Sequence, residues 1–263
     1  MSIFKESADE NLVQARHILD TQLLPDNSIP RNCLSINDKL PKVKFVRDIS
    51  KDEFFKKLII IPEKFSKLFL KPIEKYKEKE DIEGRDVFME IAYLDKEYKV
   101  NTFSNKNCKL PIKKRTKILV IDEAFPPIVK NEITLNLIKS FKINQDNYLS
   151  QIVAISTSNQ VENMKFFNNK SQENLSNCEF VSSYIANLIA YLNKDIKINM
   201  SYLILPSEGP VVLPKINFSE ISQMCEQLKK SFNIEDAKFE TWKEYAIKMW
   251  KIMDGESVNS LYL

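Results

Sequence analysis

The chain has 263 residues, and its 39 Lys and Arg nearly balance 36 Asp and Glu, so the formal net charge is only +3. This balance excludes a long acidic tail or a basic nucleic-acid arm as a dominant feature. Three glycines in the whole chain are too few for the glycine-rich phosphate loops of nucleotide enzymes. The single histidine, His17, leaves no multi-histidine metal site, and no Ser-His-Asp or Cys-His arrangement unless His17 itself serves. We therefore expect no cofactor and no metal, and we interpret His17 as a surface or interface residue.

Thiol spacing and the N-terminus both bear on where the protein works. The four cysteines, Cys33, Cys108, Cys178 and Cys225, lie far apart without a CxxC pair, which indicates reduced thiols rather than a zinc or redox site. No basic stretch followed by an apolar stretch opens the chain, and no window reaches the roughly 18 apolar residues of a membrane span. These features predict a protein of the cytoplasm or the nucleus.

The first third of the chain has few patterns of regular structure. Apolar residues at helical spacing predict a helix over residues 11–24, and the prolines of residues 25–41 predict an irregular connector. A β-branched run, Ile59–Ile61, predicts a buried strand that ends at Pro62. The Lys- and Glu-rich residues 63–86 mix both charges, so we interpret them as a solvated helix or loop. Two β-prone runs then predict a hairpin around Asp95 and Lys96.

The rest of the chain alternates between buried-strand and helix patterns. Continuous apolar runs at residues 118–121, 152–155 and 200–205 are typical of strands buried on both faces of a sheet. Helices are predicted over residues 179–192, from Asn217 onward, and over residues 234–253. The last of these carries both tryptophans on one face, which we expect to pack in the core.

These patterns together predict an α/β fold. We expect one domain over residues 1–255, with a central mixed β-sheet flanked by helices and with residues 1–41 as an N-terminal helical extension and connector. A flexible C-terminal tail, residues 256–263, follows Gly255, which is placed to stop the last helix.

The tail ends in Leu261-Tyr262-Leu263, an apolar tripeptide at a free carboxyl terminus. Such an end is chemically equipped to dock, because the carboxylate can pair with a lysine, Leu261 can fill an apolar slot, and the Tyr262 hydroxyl can reach a backbone group. The alternative is a tail that folds back on its own domain.

Several segments resemble a known family. QIVAISTSNQVENMK, CEFVSSYIANLIAYL, YLILPSEGP, INFSEISQMCEQL, the Trp-containing last helix and the terminal LYL resemble the fungal-type proteasome assembly chaperone 1 family over residues 151–263. The terminus also matches the hydrophobic-Tyr-any-residue pattern with which proteasome activators and chaperones enter pockets between α subunits of the 20S particle. The first 110 residues carry little that matches.

The resemblance implies a chaperone rather than an enzyme. It implies a heterodimer with proteasome assembly chaperone 2 that caps the outer face of the 20S α ring, promotes ring assembly and blocks premature regulators. Residue by residue, it implies that Leu261, Tyr262 and Leu263 occupy a pocket between α subunits. The block at residues 206–210 is interpreted as architecture.

Two other function classes stay open at this stage. Asp122 and Glu123 follow the strand at residues 118–121, a place where α/β enzymes often hold catalytic carboxylates, although without a phosphate loop such a pair is more often a helix cap or a solvated loop. Residues 109–117 are basic and could contact nucleic acid, but they lack interleaved aromatics for base stacking. The same stretch, through Lys113, Lys114 and Arg115, could instead contact acidic parts of a protein partner.

Overall fold

Eight strands form one mixed sheet in the computed structural model. The model describes residues 40–45, 56–71, 85–113, 115–143, 150–168, 183–192, 198–208 and 215–253, and those from Pro41 onward belong to one compact unit. The strands are β1 (Lys42–Phe45), β2 (Lys57–Pro62), β3 (Arg85–Tyr93), β4 (Lys96–Ser104), β5 (Thr116–Ile121), β6 (Gln151–Ser158), β7 (Lys165–Asn168) and β8 (Asn199–Pro206). Their order across the sheet is β1-β3-β4-β5-β2-β6-β8-β7.

The described helices are α1 (Ser66–Phe69), α2 (Pro127–Ile143), α3 (Ser183–Leu192), α4 (Phe218–Phe232) and α5 (Asp236–Met253), with 3-10 turns at Glu63–Phe65 and Asn105–Asn107. No helix among them is both long and apolar enough to cross a membrane. The predicted N-terminal helix and connector, His17, Cys33, Cys178, Lys114, Gly255 and the tail lie outside the described residues.

The centre of the sheet is parallel, as the apolar runs predict. Strands β5, β2, β6 and β8 pair in parallel, with Ile59 of β2 opposite Ile118 of β5 on one side and Val153 of β6 on the other. The four residues from Leu58 to Ile61 are fully buried. Strands covered on both faces need apolar side chains at every position, which is why these segments lack the alternation of a half-exposed strand.

Antiparallel strands extend the sheet at both ends. The predicted hairpin is confirmed as β3 and β4, and its turn lies at Leu94 and Asp95, both with left-handed backbone (φ 48° and 59°). Two successive residues of positive φ twist a tight turn to match the twist of paired strands. Strand β1 adds to β3, and β7 adds to β8. Both are four-residue edge strands that the sequence patterns did not predict.

Helices cover both faces of the sheet. On one face, α2 and α3 bury side chains such as Ile133 and Leu188 against the strands, and the Tyr184 hydroxyl donates a hydrogen bond to the carbonyl of Ile155. On the other face, α1, α4 and α5 bury a second set that includes both tryptophans. The prediction of an α/β fold with a mixed sheet flanked by helices is confirmed.

The last two helices follow the predicted stripes closely. Asn217 caps α4, because its Oδ1 accepts a hydrogen bond from the backbone nitrogen of Ser219 at 3.0 Å. The buried side of α4 consists of the predicted residues Ile221, Met224, Cys225, Leu228 and Phe232.

One interpretation needs correction. The start of the charged stretch, residues 63–71, is not simply solvated, since Phe65, Leu68 and Phe69 are fully buried. Three apolar side chains among many charges were enough to dock this segment on the sheet.

Candidate functional site

The parallel strands give the sheet two ends of different chemistry. Their carboxyl ends bring Glu63, Lys64, Asp122 and Glu123 together, because β2 and β5 are neighbours that finish side by side. Their amino ends carry the basic segment with Lys113 and Arg115. The carbonyl of Arg115 accepts hydrogen bonds from the backbone nitrogens of Lys56 and Lys57, where β2 begins. We therefore consider each end as a candidate site.

A buried ion pair occupies the carboxyl end. The Lys64 ammonium lies 3.0 Å from the Glu123 carboxylate, with side chains 9% and 10% exposed. Lys64 also donates to the Thr157 hydroxyl at 2.8 Å, and the Lys130 ammonium donates to the Glu123 carbonyl at 2.9 Å. The pair thus joins the segments that follow β2 and β5 to Thr157, near the end of β6.

Burial sets the protonation behaviour of this pair. It lowers the pKa of Lys64 and raises the pKa of Glu123, while the attraction between the two charges opposes both shifts. The interpretation of Glu123 as a solvated loop residue is therefore wrong.

Asp122 closes a turn rather than capping a helix, since α2 begins five residues later, at Pro127. Its Oδ1 accepts a hydrogen bond from the backbone nitrogen of Ala124 at 2.8 Å, which closes the turn after β5.

The Lys64–Glu123 pair lies at a characteristic position of this fold. After β2 the chain turns to one face of the sheet, and after β5 it turns to the other, which is where doubly wound α/β enzymes hold a ligand. Here the Lys64–Glu123 pair fills that position. Within the described ranges, no group of three or more metal-ligating side chains comes together.

Glu63 provides a test of this electrostatic description. Burial raises the pKa of its carboxyl, and repulsion from Asp122 and Glu123 raises it further. Ionised Glu63 therefore disfavours the folded state above the raised pKa, and this penalty disappears once pH falls below the ordinary glutamate pKa. We expect Glu63→Gln to raise the free energy of unfolding by less than about 1 kcal/mol at pH 7.5, because the carboxyl is only partly buried and the solvent that still reaches the side chain screens the repulsion.

The gain should shrink to nothing as the pH falls to about 4, where wild-type Glu63 is itself protonated. Urea unfolding at both pH values measures it, and Glu97→Gln on the exposed hairpin is the matched control. A gain that grew toward low pH would contradict the prediction.

The amino end carries a cleft of about 980 Å³. It lies between the loop before β5 and the junction of α4 with α5, and Lys113 lies at its rim. Gln151 at the start of β6 donates to the carbonyl of Ser231 at 2.9 Å, which fixes the end of α4 against the sheet. Arg115 is exposed, and Lys114 lies outside the described residues.

Helix α5 connects this end to the start of the tail. Two indole groups hold the helix in place by hydrogen bonds. The indole nitrogen of Trp242 donates to the carbonyl of Leu68, and that of Trp250 donates to the carbonyl of Ile216, each at 2.9 Å. The Trp250 ring also stacks on Phe65 with centroids 5.3 Å apart. The chain therefore leaves a fixed helix end at Met253 before it enters the tail, and Leu261, Tyr262 and Leu263 lie outside the described residues.

The block at residues 206–210 is described in part. Glu208 pairs with Lys215 through two backbone hydrogen bonds of 2.9 and 2.8 Å, which hold these two residues side by side. Gly209 and Pro210 lie outside the described residues. The role of this block as architecture stays a prediction.

Sequence reasoning missed two residues that matter here. Lys64 is one of many lysines in a charged stretch, and only its place directly after a buried strand distinguished it. Lys230 comes near Lys113 only through the tertiary fold, and no sequence signal joins the two.

Comparison with known proteins decides the family. A family model described as POC1 chaperone matches residues 3–263. The chain belongs to the POC1 chaperone family. The resemblance to proteasome assembly chaperones is thereby confirmed, and it extends through the first 110 residues, where the sequence motifs gave little.

Solved structures show weaker likenesses to this POC1 family member. It is similar to Pyrococcus furiosus PbaA, an archaeal homolog of proteasome-assembly chaperone, with 10% identity, a TM-score of 0.44, and coverage of 82% of this chain and 100% of that one. It is also similar to P. furiosus PbaB, an archaeal proteasome activator, with 11% identity, a TM-score of 0.46, and coverage of 83% and 99%.

A Mycobacterium tuberculosis protein of unknown function follows with 12% identity, a TM-score of 0.42, and coverage of 84% and 83%. No curated protein matches the chain. At these identities and scores the structural likenesses carry no information about function, and the assignment rests on the family match.

Proposed function

We propose that this chain is one subunit of a heterodimeric chaperone that binds the outer face of the 20S proteasome α ring. With proteasome assembly chaperone 2 as its partner, it promotes assembly of the ring and blocks premature binding of regulators. It acts in the cytoplasm or nucleus by binding and not by catalysis. The observation that carries this proposal is the family match across residues 3–263.

Within this proposal, the terminal tripeptide is the specific anchor. Leu261 fills an apolar slot between α subunits, Tyr262 packs beside it with its hydroxyl on a backbone group, and the carboxylate of Leu263 pairs with a lysine. Three residues bury too little surface for tight binding. Most of the affinity then comes from a wider interface of at least about 1,000 Å², and the tail supplies register.

The anchored end of α5 supports these separate roles for the wide interface and the tail. Trp250 holds the helix three residues before its end at Met253, and the eight residues from there to Leu261 span at most roughly 28 Å when extended. Once the body is bound, a tether this short keeps the tripeptide at high effective concentration near its pocket.

Deletion of residues 261–263 is expected to weaken binding to α subunits about 10- to 100-fold without abolishing it, because the body interface remains. Titration of the purified chaperone complex against 20S core particles measures the change. Tyr262→Phe tests the hydroxyl separately and should cost less than the deletion. Equal affinity of intact and truncated chains would contradict the anchoring role.

The partner and the binding target can be identified together. Affinity purification of the tagged chain followed by mass spectrometry should recover proteasome α subunits and one further chaperone subunit in equal amount with the chain. Recovery of mature, active proteasome alone, without free α subunits, would argue against a role in assembly.

A further inference from the structure

The cleft at the amino end of the sheet, which we call the amino-edge cleft, has an unusual lining. Four lysines and two carboxylates line it, which gives an excess of two positive charges, and apolar residues complete the lining. The charged residues are Lys113, Lys229, Lys230, Lys238, Glu235 and Asp236.

The two carboxylates are already paired. Asp236 lies 2.8 Å from the ammonium of Lys229, and Glu235 lies 2.7 Å from that of Lys238. The other two lysines, Lys113 and Lys230, are exposed and form no ion pair with any carboxylate in the described part of the chain. They are the two cations of the lining that remain available to a ligand.

The charge of Lys113 acts on two titratable neighbours at this end of the sheet. Burial lowers the pKa of Lys57, at the start of β2, and repulsion from Lys113 lowers it further. The hydrogen bond and the charge of Lys238 hold the pKa of Glu235 below its usual range, and the charge of Lys113 adds a smaller effect in the same direction. An anion bound near these lysines would offset the repulsion between them and would stabilise their charged forms.

We propose that the amino-edge cleft binds an acidic segment of a proteasome α subunit, with carboxylates beside Lys113 and Lys230 and an apolar side chain over Pro111 and Ile112. Both of these apolar residues are half-buried and line the cleft. The identity of the partner rests on the proposed function, whereas the chemistry of the ligand rests on the cleft.

The lining favours an acidic protein segment over nucleic acid. Glu235 and Asp236 pair with two of the four lysines, so the two lysines that remain suit a peptide with a few carboxylates better than a continuous phosphate backbone. Phe232, the aromatic residue of the lining, is only 4% exposed, so it presents little ring surface on which a base could stack.

The cleft and the tail lie at opposite ends of one helix. Asp236 lines the cleft, and α5 then runs to Met253, a length of about 26 Å at the usual helical rise. The chain therefore offers a partner two contacts, an electrostatic one that guides approach and a terminal one that fixes register.

Charge reversal tests the proposal. The tagged chain is purified from its own cells with whatever subunit it holds, and its association with purified 20S core particles is followed on a biosensor at low and physiological ionic strength. Lys113→Glu with Lys230→Glu should slow association by about tenfold at low salt and flatten the salt dependence. Lys42→Glu with Lys96→Glu, on exposed positions of β1 and β4, makes the same charge change and should leave the rate unaltered.

Three outcomes would overturn the proposal. The first is equal association rates for the cleft variant and the control variant. The second is loss of binding to a single-stranded oligonucleotide in the cleft variant while its association with the core particle is unchanged. The third is no binding of the unmodified complex to core particles, which would also overturn the proposed function, whereas the first two leave that function intact.

Discussion

Trp250→Ala is expected to lower the free energy of unfolding by about 3–5 kcal/mol, the range for removal of a buried tryptophan. The indole is 4% exposed, stacks on Phe65, and donates to the carbonyl of Ile216. Its loss removes apolar contacts from the core and leaves that carbonyl without its donor. Urea or thermal unfolding of the purified chain measures the effect.

The conservative variant separates packing from hydrogen bonding. Trp250→Phe keeps a ring against Phe65 but cannot donate to Ile216, so a smaller loss of about 1–3 kcal/mol is expected. Exposed Lys248, two residues earlier in α5, provides a control, because Lys248→Ala should change stability by no more than about 0.5 kcal/mol. If Trp250→Ala proved as mild as this control, the last turn of α5 would not be anchored as described.

The second large effect concerns the Lys64–Glu123 pair. Lys64→Met is expected to cost about 3–5 kcal/mol, because it leaves the Glu123 carboxylate buried without its partner and removes the hydrogen bond to Thr157. Lys67→Met, on the exposed side of α1, is the matched control and should be nearly neutral.

The double variant Lys64→Met with Glu123→Leu tests whether the loss comes from the unpaired carboxylate. Replacement of a buried pair by apolar residues of similar size is often neutral or stabilising, so most of the lost stability should return. If the double variant were less stable than Lys64→Met alone, Glu123 would have a role beyond its pairing with Lys64. Retention of proteasome binding by the restored double variant is also expected, since we assign these residues to structure.

The sheet could be predicted because its centre is parallel and buried on both faces. A strand such as β2 needs apolar side chains throughout, and Ile59–Ile61 before Pro62 leaves few other interpretations. The stripes of α4 and α5 were equally clear, since apolar residues three and four positions apart can meet a sheet only along one helical face.

There is a physical reason why the edge strands could not be predicted. Strands β1 and β7 have four residues each, and all four residues of β7 are only half-buried. Such short segments lack a periodic signal. Their strand conformation comes from hydrogen bonds to β3 and β8, which are long-range contacts.

The candidate sites, like the strands, could be predicted from sequence only in part. Lys113 and Arg115 could be picked out as charged neighbours in sequence, but the cleft depends on residues about 120 positions away. The pairing of Lys64 with Glu123, separated by 59 positions, follows only from the parallel register of β2 and β5. The terminal tripeptide remains a prediction from sequence.

The length of α5 has a geometric consequence. A rigid helix fixes an angle as well as a distance, since each residue turns the chain by about 100°. A partner that binds at both ends of α5 must have two binding sites with the same spacing and relative orientation. The helix therefore limits which surfaces can bind both ends at once. Shortening α5 by one residue beyond Trp250 would rotate the point from which the tail departs, with little change in its distance from the sheet.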